Sequence, residues 1–223
     1  MQITSKYFSS TTKFEYSNNF DKKRISKLMG EAVNTKEIID HCTPNTIVYD
    51  IGAAIGTVGL FLAHFCKKVI LIEPDPTHLE LLKKNVAINE FQNVEVLGVA
   101  CGNENKTITL YTDHDTAGKC PSCFELGHHK SIQVPMYTLD SLIAIHGEPD
   151  IIKIDVEGYE MEVLQGMSSN PRWLFLELHP EHCKKDPKVL LSEITDLLAS
   201  RYSMTRYYPR GTEYLSVWKS TLS

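Results

Sequence analysis

The chain has 223 residues, of which 42% are hydrophobic and 23% charged, with a formal net charge of −5 at pH 7. That is enough chain for one α/β domain without disulfide or metal staples, and the acidic balance argues against a broad nucleic-acid surface. Residues 1–7 lack the apolar core of a signal peptide, and no apolar run approaches the ~20 residues that span a bilayer. With no export signal, the six cysteines read as free thiols and the expected location is the cytoplasm, with no membrane partner.

Residues 1 to about 20 are polar, rich in Ser, Thr and Asn, and show no clear period. Residues 21–42 carry Ile25, Leu28, Met29, Ala32, Val33, Ile38 and Ile39 at mostly helical spacing and predict one or two helices, ended by Pro44. From Thr46 onward strand and helix alternate. Strands are expected at 47–50, 69–73, 94–101, 150–155 and 173–178, and helices at 56–66, 76–89, 159–165 and 188–201. Pro76 suits the first turn of its helix. Residues 107–112 and 132–137 read as an added β pair, and residues near Tyr207 and 214–218 as a closing hairpin. Near-continuous apolar strands separated by helices imply a parallel sheet buried on both faces. The expected organisation is an N-terminal segment, 1–45, that is a candidate lid, and a cofactor-binding domain, 46–223.

In such a sheet, ligands bind beyond the carboxyl ends of the strands. Asp50, Glu73, Cys101, Asp155 and His179 all fall at or just past predicted strand ends, so they are expected to gather along one edge. Asp50-Ile51-Gly52-Ala53-Ala54-Ile55-Gly56 reads as a strand running through a glycine turn into a helix, and Glu73-Pro74-Asp75 ends the next strand. A backbone turn against the ligand and a carboxylate for ribose hydroxyls suit a nucleoside cofactor. The G-x-G-x-x-G spacing of a dinucleotide site is absent, and Asp50 would repel a pyrophosphate but suits an ammonium group. These features favour S-adenosylmethionine over NAD. The bland alternative is an ordinary tight turn capped by Asp50.

A second constellation is Asp155-Val156-Glu157-Gly158-Tyr159-Glu160, with three carboxylates at the exit of a buried strand. Acids in a partly desolvated cleft tend to do chemistry or bind cations, although Glu157 and Glu160 would also suit a helix N-terminus. His179, between Leu178 and Pro180, could take a proton from an acceptor hydroxyl or be purely structural. Cys120-Pro121-Ser122-Cys123, near His114, His128 and His129, is one CxxC without a second pair, which reads as a loop near the cofactor edge rather than a zinc site.

The glycine turn, Glu73-Pro74, Asn85, Thr138-Leu139-Asp140, and above all Lys153-Ile154-Asp155-Val156-Glu157-Gly158-Tyr159-Glu160 with Val163-Leu164-Gln165-Gly166 resemble the FkbM-type methyltransferases, from about residue 46 to about 180. The resemblance implies a Rossmann-like class I methyltransferase: a doubly wound, mostly parallel seven-stranded sheet with an antiparallel C-terminal hairpin. It also implies O-methylation of a hydroxyl on a small molecule or sugar. Candidate cofactor contacts are Asp50, Gly52, Ala53, Ala54, Gly56, Glu73, Pro74, Ala100 and Asp155. Candidate catalytic residues are Glu157, His179 and Asp155, with Glu157 or His179 as the base and Asp155 as an orienting group. Glu160 and Glu177 also match the family's pattern. The family usually has asparagine where this chain has Ala54, and residues 111–131 match no family pattern and are expected to set acceptor choice. A non-catalytic cofactor-binding relative and, less well, a nicotinamide enzyme are the competing readings. A divalent metal at the acidic segment is conceivable on its oxygen ligands but has no motif behind it.

Overall fold

A computed structural model describes residues 2–7, 10–27, 32–112, 121–125 and 130–222. The polar N-terminus pairs with itself, β1 (Gln2–Tyr7) and β2 (Ser10–Glu15) forming an antiparallel hairpin. Two helices follow, α1 (Asn19–Lys27) and α2 (Ala32–Asp40). Asn18 caps α1 by accepting from the Asp21 amide (2.9 Å), and Asp21 in turn accepts from the amide and hydroxyl of Ser17. Of the helical residues read from sequence, Ile25 and Ile38 are buried beside Phe14, while Leu28 and Met29 lie outside the described residues.

The βα alternation begins with β3 (Ile47–Ile51), α3 (Gly59–Leu62), β4 (Lys68–Ile72), α4 (Pro76–Ile88) and β5 (Val94–Leu97). A small insert comes next, β6 (Ala100–Cys101), β7 (Lys106–Thr112) and β8 (Lys130–Tyr137), forming a separate three-stranded sheet. The chain then returns through α5 (Leu139–His146), β9 (Ile151–Ile154), α6 (Glu160–Gln165), β10 (Trp173–Leu178) and α7 (Pro187–Leu198) to a closing hairpin, β11 (Tyr202–Arg210) and β12 (Glu213–Ser220). No helix among the described residues is long and apolar enough to cross a membrane.

The main sheet has seven strands in the order β11-β12-β10-β9-β3-β4-β5. The strands β10, β9, β3, β4 and β5 run parallel, and β12 lies antiparallel between β10 and β11. This is the doubly wound class I methyltransferase architecture expected from the sequence. Its strand order reverses at β3, so the ends of β3, β4 and β9 border one crevice. Alternate residues feed two cores. Tyr49, Ile152, Ile154, Leu174 and Leu176 face α5, α6 and α7, while Val48, Ile151 and Phe175 face α1, α2 and α3.

Three local readings differ from the fold. The helix predicted at 56–66 shrinks to the single turn of α3, because the chain from Ala53 to Val58 is committed to turns by Ala54 (φ 48°) and Gly56 (φ 90°). The strand predicted at 94–101 divides, since residues after Leu97 leave the main sheet to pair with β8. The N-terminal residues, without a clear period in sequence, form a strand hairpin and a helix in their described part. The side chains of Asn85 on α4 and Asn89 at its C-cap exchange hydrogen bonds with the backbone of β2 at Lys13 and Glu15, and Asn85 also donates to Ile55 O (2.9 Å). Asn85 thereby clamps the hairpin to the glycine turn.

Gly52 has φ +80°, and a Cβ there would stand 1.7 Å from the backbone oxygen of Asp155. Left-handed strain and overpacking each add one to a few kcal/mol, so Gly52→Ala is expected to lower the unfolding free energy by about 2–5 kcal/mol. Urea denaturation of the two proteins checks this.

Candidate active site

The turn after β3 is built around Glu73. Its Oε2 accepts from the Ala54 amide (2.8 Å) and its Oε1 from the Asp75 amide (2.9 Å), so one carboxylate joins the end of β4 to the glycine turn. Glu73 is buried, and that burial pushes its carboxyl up to about 7 despite the two amide donors. Ala54 holds a left-handed φ that asparagine tolerates better than alanine, which is a physical reason for asparagine at this position. Asp75 caps α4 through the amides of Thr77 and His78.

A cleft opens beyond these strand ends. It encloses about 620 Å³, counting the part open to solvent, within the range of small-molecule sites. Of the nine candidate cofactor residues, Gly52, Ala54, Glu73, Pro74, Ala100 and Asp155 line it, and Asp50, Ala53 and Gly56 do not. Ala53 is buried in the core, and Gly56 packs against Leu60 and Leu82. Asp50 is fully buried, its Oδ1 3.0 Å from the ammonium of Lys153, which stands opposite it in the parallel register of β3 and β9. Lys153 also reaches Asp155 Oδ2 at 3.3 Å. Burial alone would drag Lys153 down, but the carboxylates of Asp50, Asp155 and Glu177 outweigh it and hold the lysine above its ordinary range.

Past β9 the chain turns sharply, with Glu157 at φ 55° and Gly158 at φ 101°. Such strain concentrates at functional sites. Glu157 lines the cleft, with Arg24 at 3.7 Å from its Oε1, and His182 at 3.2 Å and His179 at 3.7 Å from its Oε2. Glu160 points inward, its Oε1 accepting from the Gly158 amide (3.0 Å) and bonded to His179 Nδ1 (2.8 Å). The Nε2 of His179 faces Asp155 Oδ1, also at 3.7 Å. His179 is 4% exposed and stands behind the two acids rather than on the cleft wall. Its burial disfavours the charged ring, but the Glu160 hydrogen bond together with Asp155 and Glu157 overrides this and raises it to about 11. At neutral pH it is therefore an imidazolium. It holds the acids in place and has no free site for a proton, which leaves Glu157 as the candidate base.

Glu177 sits beside this group, 3.3 Å from Arg210, and its burial and the neighbouring Asp155 keep its carboxyl well above the usual range. Ligand atoms of Asp155, Glu177 and His179 lie within 4.8 Å of one another, as a metal would require. Both carboxylates, however, already face cations, Lys153 and Arg210, so the trio is balanced without an ion.

Several lining residues carry no sequence signal as site residues: Arg24 on α1, His78 on α4, and Val99 and Leu110, which supply apolar wall. Residues 121–123 also line the cleft, Ser122 donating to Glu157 O (3.3 Å) and bridging to Tyr111. The described part of the Cys120-Cys123 loop thus falls at the edge of this cleft. Cys120, His114, His128 and His129 lie outside the described residues. Burial pushes the Cys123 thiol up to about 12, so it is inert at neutral pH.

Comparison with known proteins agrees with this geometry. The profile of the methyltransferase FkbM domain matches residues 50–203. The hexuronic acid methyltransferase AglP of Haloferax volcanii is 27% identical over 186 residues, covering 76% of this chain and 71% of that protein. The crystal structure of methyltransferase FkbM from Methylobacillus flagellatus superposes with a TM-score of 0.57 at 19% identity, over 79% of this chain and 44% of that one. A Streptococcus mutans protein solved in complex with S-adenosylhomocysteine gives 0.54 at 12% identity, over 85% and 96% of the two chains. At these identities the solved structures speak to the fold.

The His179 imidazolium yields a pH test. The folded state holds its proton more tightly than the unfolded chain does, so its contribution to stability is complete below about pH 6.5 and is lost as pH rises through about 11. The stability gap between wild type and His179→Gln is expected to narrow across that window, measured by urea denaturation at successive pH values. A gap that does not change with pH would place the proton elsewhere.

Proposed function

The chain belongs to the FkbM methyltransferase family, and from that premise we propose that it transfers the methyl group of S-adenosylmethionine to a hydroxyl oxygen of a small-molecule or carbohydrate acceptor. The observation that carries the cofactor reading is the pairing of Glu73 with the Ala54 amide at the head of an apolar-walled cleft. The second lone pair on each Glu73 oxygen suits ribose hydroxyls. Ile51, Ile72, Val99 and Leu110 suit a flat base, and the acids beyond suit a cationic sulfonium and ammonium. When bound, S-adenosylmethionine supplies an electrophilic methyl group.

The remaining work falls to the chain's own residues. Positioning is the larger share, and an aligned pair of reactants can lower the barrier by roughly 7–11 kcal/mol. Glu157 lies on the cleft wall where an acceptor hydroxyl would stand and takes up its proton. Asp155, held between Lys153 and His179, orients the reacting groups. The name of the Haloferax relative specifies a hexuronic acid, which favours a carbohydrate acceptor over other hydroxyl compounds. The described part of residues 111–131 covers the cleft and supplies acceptor contacts. Residues 46–223 form the catalytic domain in this reading, and residues 1–45 act as its lid. The negative net charge disfavours a nucleic-acid acceptor.

Incubation with methyl-labelled S-adenosylmethionine and a panel of methyl glycosides of hexoses and hexuronic acids tests the reading. Transfer to at least one sugar is expected, and Glu157→Gln should lower turnover by about 10²–10⁴-fold, the usual contribution of a base. The same variant should bind S-adenosylhomocysteine with little change. No transfer by wild type, together with no binding of S-adenosylhomocysteine, would overturn the proposal.

A further inference from the structure

The described residues lining the cleft include three carboxylates, Glu73, Asp155 and Glu157, but a single Lys or Arg, Arg24. Arg24 does not come from the βα core. It rides on α1, which the Asn18 and Asp21 cap hydrogen bonds define and which buried Ile25 seats against the core beside Phe14 and Ile38. Its Nη2 stands 3.7 Å from Glu157 Oε1, an ion pair longer than a hydrogen bond. Burial raises the Glu73 carboxyl at the other end of the same cleft, and the Arg24 charge offsets a small part of that rise. Arg24 and both acids line this one cleft. Glu157 keeps two further partners, His182 at 3.2 Å and the His179 imidazolium at 3.7 Å, when the guanidinium turns to another anion.

We propose that Arg24 is a carboxylate-binding residue of this cleft. An anionic group entering a space bordered by three acids is repelled unless a cation meets it, and guanidinium suits a carboxylate through two parallel hydrogen bonds. This inference rests on the methyltransferase reading, which offers two sources of that one chemistry. The first is the α-carboxylate at the amino-acid end of the cofactor. The second is the carboxylate of a uronic acid acceptor. In either case the N-terminal segment supplies a contact that the βα core lacks, and α1 becomes part of the binding site.

Calorimetric titrations of wild type, Arg24→Ala and Arg24→Gln test it. One arm compares S-adenosylhomocysteine with 5′-methylthioadenosine, which keeps the nucleoside thioether and lacks the amino-acid end. The other compares methyl glucuronoside with methyl glucoside on the S-adenosylhomocysteine complex. If the cofactor carboxylate is the ligand, the variants lose about tenfold or more in affinity for S-adenosylhomocysteine and stay within about twofold for methylthioadenosine, as for one charge-assisted hydrogen-bonded contact. If the acceptor carboxylate is the ligand, cofactor affinity holds and the preference for the glucuronoside falls by a similar factor. If neither sugar binds to any of the proteins, the cofactor arm alone decides. Preferences within about twofold of wild type in both arms, for a variant with an unchanged melting temperature, would overturn the assignment. Arg24→Gln covers the case in which the alanine variant does not fold. Wild type that binds neither nucleoside would refute the methyltransferase reading instead, a different result from the loss of Arg24's role alone.

Discussion

The architecture of the site depends on one buried ammonium. Lys153 lies on β9, at the centre of the sheet, with Asp50 on the neighbouring strand at 3.0 Å and Asp155 two residues on at 3.3 Å. An unpaired charge at such a depth would neutralise or unfold the region. The lysine makes it tenable to end both β3 and β9 in aspartates, and those two strand ends carry the glycine turn and the acidic segment. The glycine turn and the acidic segment are thus placed relative to each other by an ion pair across the parallel register.

The rest of the site repeats this logic outward. Glu73 ties the end of β4 to the turn through two amides, and Glu160 fixes the ring of His179, which steadies Asp155 and Glu157. Acids and basic side chains alternate from the core to the cleft mouth, ending at Arg24 and His182. The arrangement sets basic side chains against the buried carboxylates, and it restricts where a neutral hydroxyl or a charged ligand is welcome.

Much of the site was legible in the sequence because strand ends fall predictably at one edge of a parallel sheet. Glu73, Asp155 and Glu157 were found that way, and the structure brings them to one cleft. Asp50 was read as a cofactor contact, yet its carboxylate faces Lys153; one sequence does not reveal which strand's lysine will stand opposite. The sequence places His179 near neutrality because the three carboxylates that face it come from residues up to 24 positions away, and only packing joins them. Arg24 was illegible for a simpler reason. A cation on a polar helix looks solvated until Ile25 anchors that helix to the core. The short α3 and the divided strand after Leu97 show turn geometry and an alternative partner strand overriding apolar periodicity.

The dependence on Lys153 can be measured directly. Lys153→Met removes the ammonium while keeping its bulk, and leaves Asp50 buried without its partner. The unfolding free energy from urea denaturation is expected to fall by about 3–5 kcal/mol, with part of the loss recovered when Asp50→Asn is added. A Lys153→Met protein within about 1 kcal/mol of wild type would contradict the account, because the carboxylates would then be held by something other than this charge.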